Sequence, residues 1–294
     1  MMRISKFILL KLNKMFKLPV HPFNLSNEGG MSYAEWQFDK GAKTIDYYMP
    51  YTAVGAMFEG RRVLDIGCGA AGKSIYYASL GARLVVGLDV VERYREEAVG
   101  LARCKGYEDR FVFICADATA TGFDTGSFDT IIMNDAVEHV GQPEAVLREC
   151  LRLLAPGGKI YLNFPPYYHP YGAHLSDAIG IPWVHAFFSE KTLIAAYKQL
   201  VGGLPDGAQR IALRISGGGG SGEIEEYFSY INRMTIRRFQ GILKDLPGAK
   251  CDYYHEEPLR GFLRPLSRLP ILREFFVKMV VAVLEKQDAP PFEP

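Results

Sequence analysis

The stretch VLDIGCGAAG, Val63 to Gly72, joins an apolar run to three glycines with the spacing G-x-G-x-x-G, at Gly67, Gly69 and Gly72. This spacing is typical of a tight strand-to-helix turn that lets a ligand approach the backbone closely. In dinucleotide sites of this kind, the pyrophosphate lies at the helix N-terminus. Asp65, two residues before the first glycine, would repel those phosphates and attract a cation. The turn therefore favours a ligand with a positively charged end over a nicotinamide dinucleotide.

The whole chain has the composition of a globular protein. Its 294 residues are 48% hydrophobic and 23% charged, which suits one large α/β domain with insertions or two small domains. The net charge of +1 gives no general argument for a nucleic-acid partner. Five dispersed cysteines without a C-x-x-C spacing favour reduced thiols in a cytoplasmic protein over disulfides or zinc. Neither a membrane span nor a secretory signal is predicted.

Strand and helix patterns alternate regularly between residues 61 and 164. Strands are predicted in RRVLDIGC, ARLVVGLDV, RFVFICADA, FDTIIMNDAV and KIYLNFP, and the segments between them include helices such as PEAVLRECLRLLAPGG. This alternation predicts a parallel sheet with helices on both faces. Because the crossovers are right-handed, the loops that follow the strands gather at one edge, where ligands bind.

Acidic or amide residues close four successive predicted strands, at Asp65, Asp89, Asp117 and the pair Asn134–Asp135. A carboxylate at Asp89 suits the ribose hydroxyls of either a nicotinamide or an adenosine ligand. A carboxylate at Asp117 can accept a hydrogen bond from an adenine amino group. Asp and Asn are also common in loops and helix caps, but four at successive strand ends favour a ligand site.

The segments VLDIGCGAAG, GLDV, ICADAT, FDTIIMNDAVEHV and LRLLAPGGKIYLNF, in this order and spacing, resemble the class I S-adenosylmethionine-dependent methyltransferases. The resemblance covers about residues 60–165 and is closest to the small-molecule enzymes similar to those of ubiquinone and menaquinone biosynthesis. It implies a Rossmann-like α/β fold with a seven-stranded, mainly parallel sheet whose last strand is antiparallel. CDYYHEEP and VVAVLEK fit the final two strands. The resemblance implies S-adenosyl-L-methionine as the cofactor.

The resemblance also implies which residues contact that cofactor. They are Asp65, Gly67, Gly69 and Asn134 for the methionine part, Asp89 for the ribose, and Val90, Asp117 and Ala118 for the adenine. Tyr33 and Trp36 lie in an aromatic, helical segment before the first strand. We expect these two side chains to close over the cofactor, although packing against the core is the alternative.

Methyl transfer from a sulfonium requires alignment, exclusion of water and, for a hydroxyl acceptor, a general base. The candidate bases are His174, His139 and His169, each of which has an alternative role in holding a loop. The predicted acceptor contacts are Tyr168, Tyr171, His185 and Tyr227, which alternatively pack a lid on the core. Histidines together with Asp177 fit no known ligand spacing, so no metal is predicted.

Both ends of the chain are basic. Residues 3–18 predict a helix with five basic residues on one side and mostly apolar residues opposite, which lies either on an anionic membrane or on its own domain. The segment LRGFLRPLSRLPILREFF is also rich in arginine. The predicted organisation is 1–22, basic helix; 23–58, helical cap; 59–200, cofactor-binding core; 201–247, acceptor-binding lid with a glycine hinge at Gly217–Gly220; and 248–294, final strands.

The sequence thus predicts a cytoplasmic S-adenosylmethionine-dependent methyltransferase, with membrane contact through residues 1–20 as an extension of that prediction. The expected reaction is O-methylation of a small molecule or of a glycan or lipid-linked acceptor, and the oligomeric state is undetermined. The alternatives are a nicotinamide-dinucleotide oxidoreductase and a binding module that transfers no methyl group. A nucleic-acid methyltransferase is disfavoured because NDAV stands where an N-P-P-Y motif would follow the fourth strand.

Overall fold

The computed structural model describes residues 2–27, 30–217 and 225–287, so only Gly217 of the predicted glycine hinge falls within the described residues. The chain divides into two compact units. The sheet unit comprises Met31–Phe164, Ile236–Glu257 and Met279–Pro294. The helical unit comprises Met1–Gly30, Pro165–Thr235 and Pro258–Lys278.

The described strands are β1 Arg62–Ile66, β2 Leu84–Asp89, β3 Phe111–Cys115, β4 Phe128–Asn134, β5 Leu154–Phe164, β6 Ile215–Ser216, β7 Tyr227–Phe228, β8 Ala249–Pro258 and β9 Val277–Lys286. The described α-helices are α1 Met2–Asn13, α2 Pro22–Asn27, α3 Tyr33–Ile45, α4 Val54–Phe58, α5 Gly72–Ser79, α6 Tyr94–Lys105, α7 Pro143–Leu153, α8 Val184–Phe187, α9 Glu190–Val201, α10 Gly207–Arg214, α11 Ile236–Lys244, α12 Arg264–Ser267 and α13 Arg273–Phe276. Short 3₁₀ helices cover Asp46–Tyr48, Glu108–Arg110 and Gly261–Leu263.

The sheet unit contains a seven-stranded sheet in the order β3-β2-β1-β4-β5-β9-β8. Strand β1 runs parallel to β2 and β4, and β4 runs parallel to β5. Strand β9 is antiparallel to β5, with Asn163 opposite Val281. This topology confirms the predicted Rossmann-like α/β fold with an antiparallel last strand. The strand order reverses between β1 and β4, and in open α/β sheets ligands bind at such a switch point.

The central strands are apolar on both faces, as a sheet covered on both sides requires. Val63, Leu64 and Ile66 of β1 are all buried, as are Ile131 and Ile132 of β4. Burial of these runs removes apolar surface from water, which is the main driving force for folding of the sheet unit. The carboxyl ends of β1 and β4 are thereby held at fixed positions.

Helix α3 packs closely against α5. Ser32 and Glu35 form a capping box, in which each side chain accepts a hydrogen bond from the other residue's backbone N–H. At Gly72 the two helices approach so closely that an added Cβ would lie 1.9 Å from the Ala34 carbonyl oxygen. The third glycine of the opening motif is therefore required by helix packing.

The helical unit has its own core, formed by residues that include Leu9, Leu193, Ile194 and Tyr197. Helix α1 ends at Asn13, so the helix predicted over residues 3–18 is too long. The Asn13 side chain donates to the Ala178 carbonyl and accepts from the Gly180 N–H, which anchors the end of α1. Among the described residues, no helix has both the length and the apolar character needed to span a membrane.

The apolar spacing of EEYFSYINRMTIRRFQGILKDL, residues 225–246, predicts one long amphipathic helix, and this prediction is wrong in part. Its first half contains β7, which pairs with β6, and an extended segment before α11 begins at Ile236. Arg233 has a left-handed φ of 57°, which a right-handed helix cannot accommodate. The helical spacing of the sequence therefore extends over a stretch whose first half is not helical.

Candidate cofactor site

The turn after β1 is held between two neighbouring loops of the sheet unit. Gly67 and Gly69 have left-handed φ values of 71° and 57°, which favour glycine. The Gly67 N–H donates to the Leu88 carbonyl at 2.8 Å, and a Cβ on Gly67 would lie 2.9 Å from the Ala136 Cβ. The glycines therefore allow the turn to lie close to the ends of both β2 and β4.

Asp65 is buried at the end of β1, where its Oδ2 accepts a 2.6 Å hydrogen bond from the Ser74 hydroxyl of α5. Burial raises the pKa of Asp65 to about 6, while the Ser74 hydrogen bond and the positive charge of Lys73 oppose that rise. The negative charge of Asp89 raises it further. A cation close to Asp65 would therefore stabilise the charged form of its carboxyl group.

Asp89 at the end of β2 is oriented by the backbone. Its Oδ2 accepts from the Gly69 N–H at 2.8 Å and its Oδ1 from the Val91 N–H at 2.9 Å. Partial burial raises the pKa of Asp89. Val90, the next residue, has an exposed side chain. Each carboxylate oxygen retains a lone pair that can accept from a hydroxyl.

Asp117 lies two residues beyond the end of β3 and is exposed. Its Oδ1 accepts hydrogen bonds of 2.8 Å from both the backbone N–H and the hydroxyl of Thr119, and these bonds lower its pKa. Ala118 beside it is buried. Asp117 therefore closes its own turn with one oxygen, and only its second oxygen is available for an adenine.

Asn134 at the end of β4 belongs to a buried hydrogen-bond network. Its Oδ1 accepts from the Tyr48 hydroxyl at 2.5 Å and from Asn163 Nδ2 at 2.6 Å, and its Nδ2 donates to the Tyr77 hydroxyl at 2.9 Å. Burial raises the pKa of both tyrosine hydroxyls. A satisfied network of this kind fixes the end of β4, and with it the left-handed backbone of Asp135, at φ 52°.

Lys73 lies in the first turn of α5 and forms an ion pair of 3.2 Å with Asp135. A cation at a helix N-terminus is unfavourable unless anions surround it. Lys73 also favours the charged forms of Asp65 and of buried Glu138. The Glu138 pKa is raised by burial and by the charge of Asp135. This part of the site therefore combines several carboxyl groups with the positive charge of Lys73, which lowers the pKa values of Asp65 and Glu138.

Helix α3 covers the glycine turn. The Gln37 side chain donates to the Cys68 carbonyl and accepts from the Gly72 N–H, both at 3.2 Å. A Cβ on Gly69 would lie 3.2 Å from the Tyr33 hydroxyl oxygen. The Tyr33 ring stacks near Trp36, with 6.4 Å between ring centroids. Tyr33 therefore lies against the turn, and Trp36 lies beside Tyr33.

The residues at the switch point fit S-adenosylmethionine. The excess of carboxyl groups suits a ligand that carries a sulfonium and an ammonium group, and it disfavours the two phosphates of a dinucleotide. Backbone N–H groups hold the Asp89 carboxylate in one orientation, in which it could accept from hydroxyls, and Lys73 could bind a carboxylate. Lys73, Ser74 and Gln37 were not predicted from the sequence. The signal for the first two was their position directly after the third glycine, at the start of the helix.

Of the predicted histidines, His139 lies in the sheet unit and the other three lie in the helical unit. The His139 ring is partly exposed, and its Nε2 is 4.0 Å from Oε1 of the neighbouring Glu138. Glu138 is buried, so His139 lies at the more solvent-accessible end of this pair.

His169 and His185 are desolvated. Burial lowers the pKa of each to about 4, with smaller effects of the same sign on His169 from Lys278 and His185. His169 Nδ1 accepts from the Tyr171 N–H at 3.2 Å, and the His185 ring centroid is 4.9 Å from that of Tyr167. Both imidazoles are therefore neutral but weakly basic near pH 7, which favours a role in holding the loop.

His174 has a left-handed φ of 50°, and its carbonyl accepts from Arg214. Sparsely populated backbone conformations of non-glycine residues cluster at functional sites. Arg214 and Arg210 both form ion pairs of 3.2 Å with buried Asp177. In the described part of the helical unit, Asp177 therefore pairs with arginines rather than with the histidines of a metal site.

The predicted acceptor residues in the helical unit are aromatic and partly accessible. Tyr168 and Tyr227 are exposed over more than a third of their surface. The Tyr168 ring lies 5.2 Å from the Phe275 ring, and the Tyr171 hydroxyl lies 3.5 Å from the Gly180 carbonyl oxygen. The structure brings Tyr168 and His185 together, at 6.3 Å between centroids, while Tyr227 lies on the separate strand β7.

Residues 64–162 match the family model for a methyltransferase domain. This segment is therefore similar to a methyltransferase domain. The domain family and the fold imply S-adenosylmethionine as the cofactor. The match ends within β5, so the domain family covers the strands that carry the acidic and amide residues of the site.

The chain has relatives among proteins that are named as methyltransferases. The chain is 34% identical over 152 residues to a ubiquinone biosynthesis O-methyltransferase of Xanthomonas oryzae pv. oryzae, which is 49% of this chain and 61% of that protein. It is 30% identical over 102 residues to norajmaline N-methyltransferase of Rauvolfia serpentina, which is 35% of each. The chain thus spans about three fifths or less of the length of these relatives.

Solved structures share the fold over most of the chain. A putative S-adenosylmethionine-dependent methyltransferase from Listeria monocytogenes has a TM-score of 0.51 at 16% identity, covering 85% of this chain and 99% of that one. The [4+2]-cyclase SpnF has a TM-score of 0.55 at 15% identity, covering 93% of this chain and 100% of that one. At these identities the likeness shows the fold alone, and the two names show that proteins of one fold carry different activities.

Proposed function

We propose that this chain is a methyltransferase that uses S-adenosylmethionine to methylate a small molecule or a glycan or lipid-linked acceptor. The observation that carries the proposal is the charge arrangement at the β1–β4 switch point. Buried Asp65 with its raised pKa, Asp89, Asp135 and Glu138 are accompanied by Lys73. A ligand with a positively charged end stabilises such a site. The phosphates of a nicotinamide dinucleotide are negatively charged and would be repelled by the carboxylates of the site.

The methionine end of the cofactor has acidic, basic and backbone partners in this proposal. Asp65 and Asp135 would bind the amino group, and Lys73 would bind the α-carboxylate. The turn at Gly67 and Gly69 would lie beneath them, since left-handed glycines let a ligand approach the backbone. Asn134 would act through its hydrogen bonds by fixing the end of β4.

The nucleoside end has partners on the next two strands. Asp89 would accept from the ribose hydroxyls, because two backbone N–H groups already hold its carboxylate in one orientation. The remaining proposed contacts are Val90, Asp117 and Ala118 for the adenine, with Tyr33 and Trp36 as cover. The bound cofactor supplies the electrophilic methyl group, and the protein's part is to align it and to exclude water.

A hydroxyl acceptor would need a general base. His174 is the favoured candidate in the helical unit, because His169 and His185 have pKa values lowered to about 4 by burial. His139 is the candidate in the sheet unit, and His169 remains a weaker one. Tyr168, Tyr171, His185 and Tyr227 are the proposed acceptor contacts. The longer of the two described matches is to an O-methyltransferase, which supports oxygen as the methylated atom.

The proposal is tested by supplying S-adenosylmethionine with an isotopically labelled methyl group to the purified chain together with small-molecule and lipid extracts. A labelled product, heavier by one methyl group and absent with the Asp89→Ala variant, is expected. Binding of the cofactor without any labelled product across such extracts would favour the binding module instead. A labelled product formed equally well by Asp89→Ala would contradict the assigned site.

We also propose a cytoplasmic location with membrane contact through residues 1–20. Helix α1 carries Arg3, Lys6 and Lys11 and no acidic residue, which supports attraction to an anionic surface. The same helix packs on the helical unit through Leu9, which is fully buried. Both interpretations of the basic helix therefore find support, on different faces of it.

A further inference from the structure

Helix α1 and the residues after it expose an apolar stripe. Phe7 and Ile8 lie three and four residues after Ile4, which places the three side chains on one side of the helix, and exposed Met15 follows in the turn after it. Ile4 is 67% exposed and Phe7 is 60% exposed. Leu9 points the other way, into the core of the helical unit. The helix therefore has a second apolar face that its own unit leaves uncovered.

Basic side chains border this stripe. Arg3, Lys11, Lys14 and Lys17 are exposed, and residues 2–20 contain no acidic residue. The Lys11 Nζ lies 5.5 Å from the centroid of the Phe7 ring. In the part of the chain that the structure describes, none of these four side chains forms an ion pair with a carboxylate. Their charges are therefore available to an anionic partner.

Residues 258–276 repeat this combination in a different backbone. Phe262 and Ile271 are 75% and 79% exposed, and Leu269 is 50% exposed. Arg260, Arg264 and Arg268 alternate with these apolar residues. The backbone of this segment consists of the short helical turns Gly261–Leu263, Arg264–Ser267 and Arg273–Phe276. In this segment, too, large apolar side chains and arginines face solvent together.

The two segments contact the same stretch of the helical unit. Gly180 lies against Phe16, since an added Cβ would be 3.3 Å from the Phe16 Cβ. Trp183, three residues later, has its ring centroid 6.1 Å from that of Phe276. Three residues span at most about 11 Å, so the two segments are neighbours within the unit. Phe187, which follows in the same stretch, is also exposed.

We infer that the helical unit binds an anionic lipid bilayer through two segments at once, residues 2–18 and residues 258–276. The two segments contain nine basic residues, five in the first range and four in the second, against the single acidic residue Glu274. Exposed Phe, Ile and Leu side chains suit the boundary between head groups and acyl chains, and Lys and Arg suit anionic head groups. The inference rests on the proposed function and deepens it, because a membrane-bound enzyme could take a lipid-linked acceptor directly from the bilayer.

A bilayer explains the pattern better than an acidic protein partner does. A protein interface concentrates its apolar residues in a core with charges at its rim. Here apolar and basic residues alternate along both segments, so every apolar side chain has a cation within a few positions. That alternation matches a layered partner with anionic groups above an apolar interior.

The first experiment measures co-sedimentation of the full chain with vesicles of phosphatidylcholine alone or mixed with phosphatidylglycerol. Binding to the mixed vesicles only is expected. The combined variant Phe262→Ser, Leu269→Ser and Ile271→Ser should weaken binding by about tenfold or more, because three apolar side chains no longer insert. The combined variant Ile4→Ser, Phe7→Ser and Ile8→Ser should do the same. The matched control is Val99→Ser with Val112→Ser, which changes exposed apolar residues of the sheet unit and should leave binding unchanged.

A second measurement locates the insertion. Ile271→Trp places a fluorophore at an exposed position, and its emission should shift to shorter wavelength on addition of mixed vesicles. Val99→Trp is the control and should not shift. The inference would be overturned if the wild-type chain did not bind mixed vesicles. It would also be overturned if the combined variant of Phe262, Leu269 and Ile271 bound them as well as the wild type. So would variants that only dissociate a dimer in gel filtration, since the surface would then join two copies.

Titration of S-adenosylhomocysteine into the same samples separates this inference from the proposed function. A wild-type chain that binds S-adenosylhomocysteine but not the vesicles would contradict only the membrane inference. A wild-type chain that binds the vesicles but not S-adenosylhomocysteine would contradict only the methyltransferase proposal.

Discussion

Lys73 and Asp135 form a 3.2 Å ion pair that joins the first turn of α5 to the residue after β4. Strands β1 and β4 are neighbours whose order reverses at this point, so the pair lies at the switch point of the sheet. An amino acid zwitterion carries the same two charges, with a carboxylate for Lys73 and an ammonium for Asp135. Under the proposed function, this ion pair would be exchanged for contacts to the methionine end of S-adenosylmethionine.

The variant Lys73→Met should weaken S-adenosylmethionine binding by about tenfold or more, because a hydrogen bond to a charged group contributes roughly 1.5–3 kcal/mol. Decarboxylated S-adenosylmethionine lacks the group that Lys73 would bind. Its affinity should change by less than about twofold in the same variant, on the same energetic grounds. Calorimetric titration of both ligands measures the difference, with Lys73→Arg as the charge-preserving control. Equal losses for the two ligands would show that Lys73 has only a structural role.

Cofactor affinity should rise with pH between about pH 5 and pH 7. The pKa of Asp65 is about 6 in the protein without ligand, mainly because the group is buried, so the charged form that attracts an ammonium grows over this range. The gain can reach about tenfold per pH unit below the pKa and levels off above it. Titrations at several pH values measure the profile.

The variant Asp65→Asn is the control for this pH dependence. Its amide can still accept from Ser74, yet it carries no charge at any pH. The slope that remains in this variant belongs to Asp89 and Glu138, whose pKa values are also raised. A pH profile identical to that of the wild type would show that Asp65 does not cause the pH dependence of cofactor affinity.

Two glycine substitutions should change stability in opposite directions. Gly72→Ala places a Cβ 1.9 Å from the Ala34 carbonyl oxygen and should cost about 2 kcal/mol or more of unfolding free energy. Gly100 lies within α6 with open space around its Cβ position. Gly100→Ala should therefore stabilise the chain by about 0.5–1 kcal/mol. Urea unfolding of both variants measures the pair, and a stable Gly72→Ala variant would mean that α3 does not pack on α5 as described.

Asp177 should be essential for the stability of the helical unit. It is buried between Arg210 and Arg214 and accepts from the Tyr197 hydroxyl at 2.8 Å. Asp177→Ala leaves two buried guanidinium groups without their shared partner, which should cost about 3–5 kcal/mol. Glu225→Ala removes an exposed ion pair with Lys191 and should cost less than about 1 kcal/mol. Thermal unfolding compares them, and similar losses would contradict the importance of burial.

Much of the fold follows from patterns in the sequence. The runs around Val63, Val85 and Ile131 are apolar on both faces and alternate with helical segments, which restricts the sheet to a parallel, two-sided arrangement. The carboxylates at Asp65 and Asp89 could be placed at one edge because parallel strands end there together. These features depend on residues that are near in sequence or repeat with a regular period.

Other features depend on contacts that periodicity does not encode. Helical spacing continued through Arg233, whose left-handed backbone ends any helix there. Helix α1 stops at Asn13 because that side chain bonds to Ala178 and Gly180, more than 160 residues away in sequence. Lys73 was not recognised because its relation to Asp135 appears only when β1 and β4 lie side by side.

The most direct test of the central claim is a calorimetric titration of the purified full chain with S-adenosylmethionine and, separately, with NAD. We expect saturable binding of S-adenosylmethionine with one site per chain and no measurable binding of NAD. Binding of NAD without binding of S-adenosylmethionine would contradict the assignment of the site to S-adenosylmethionine.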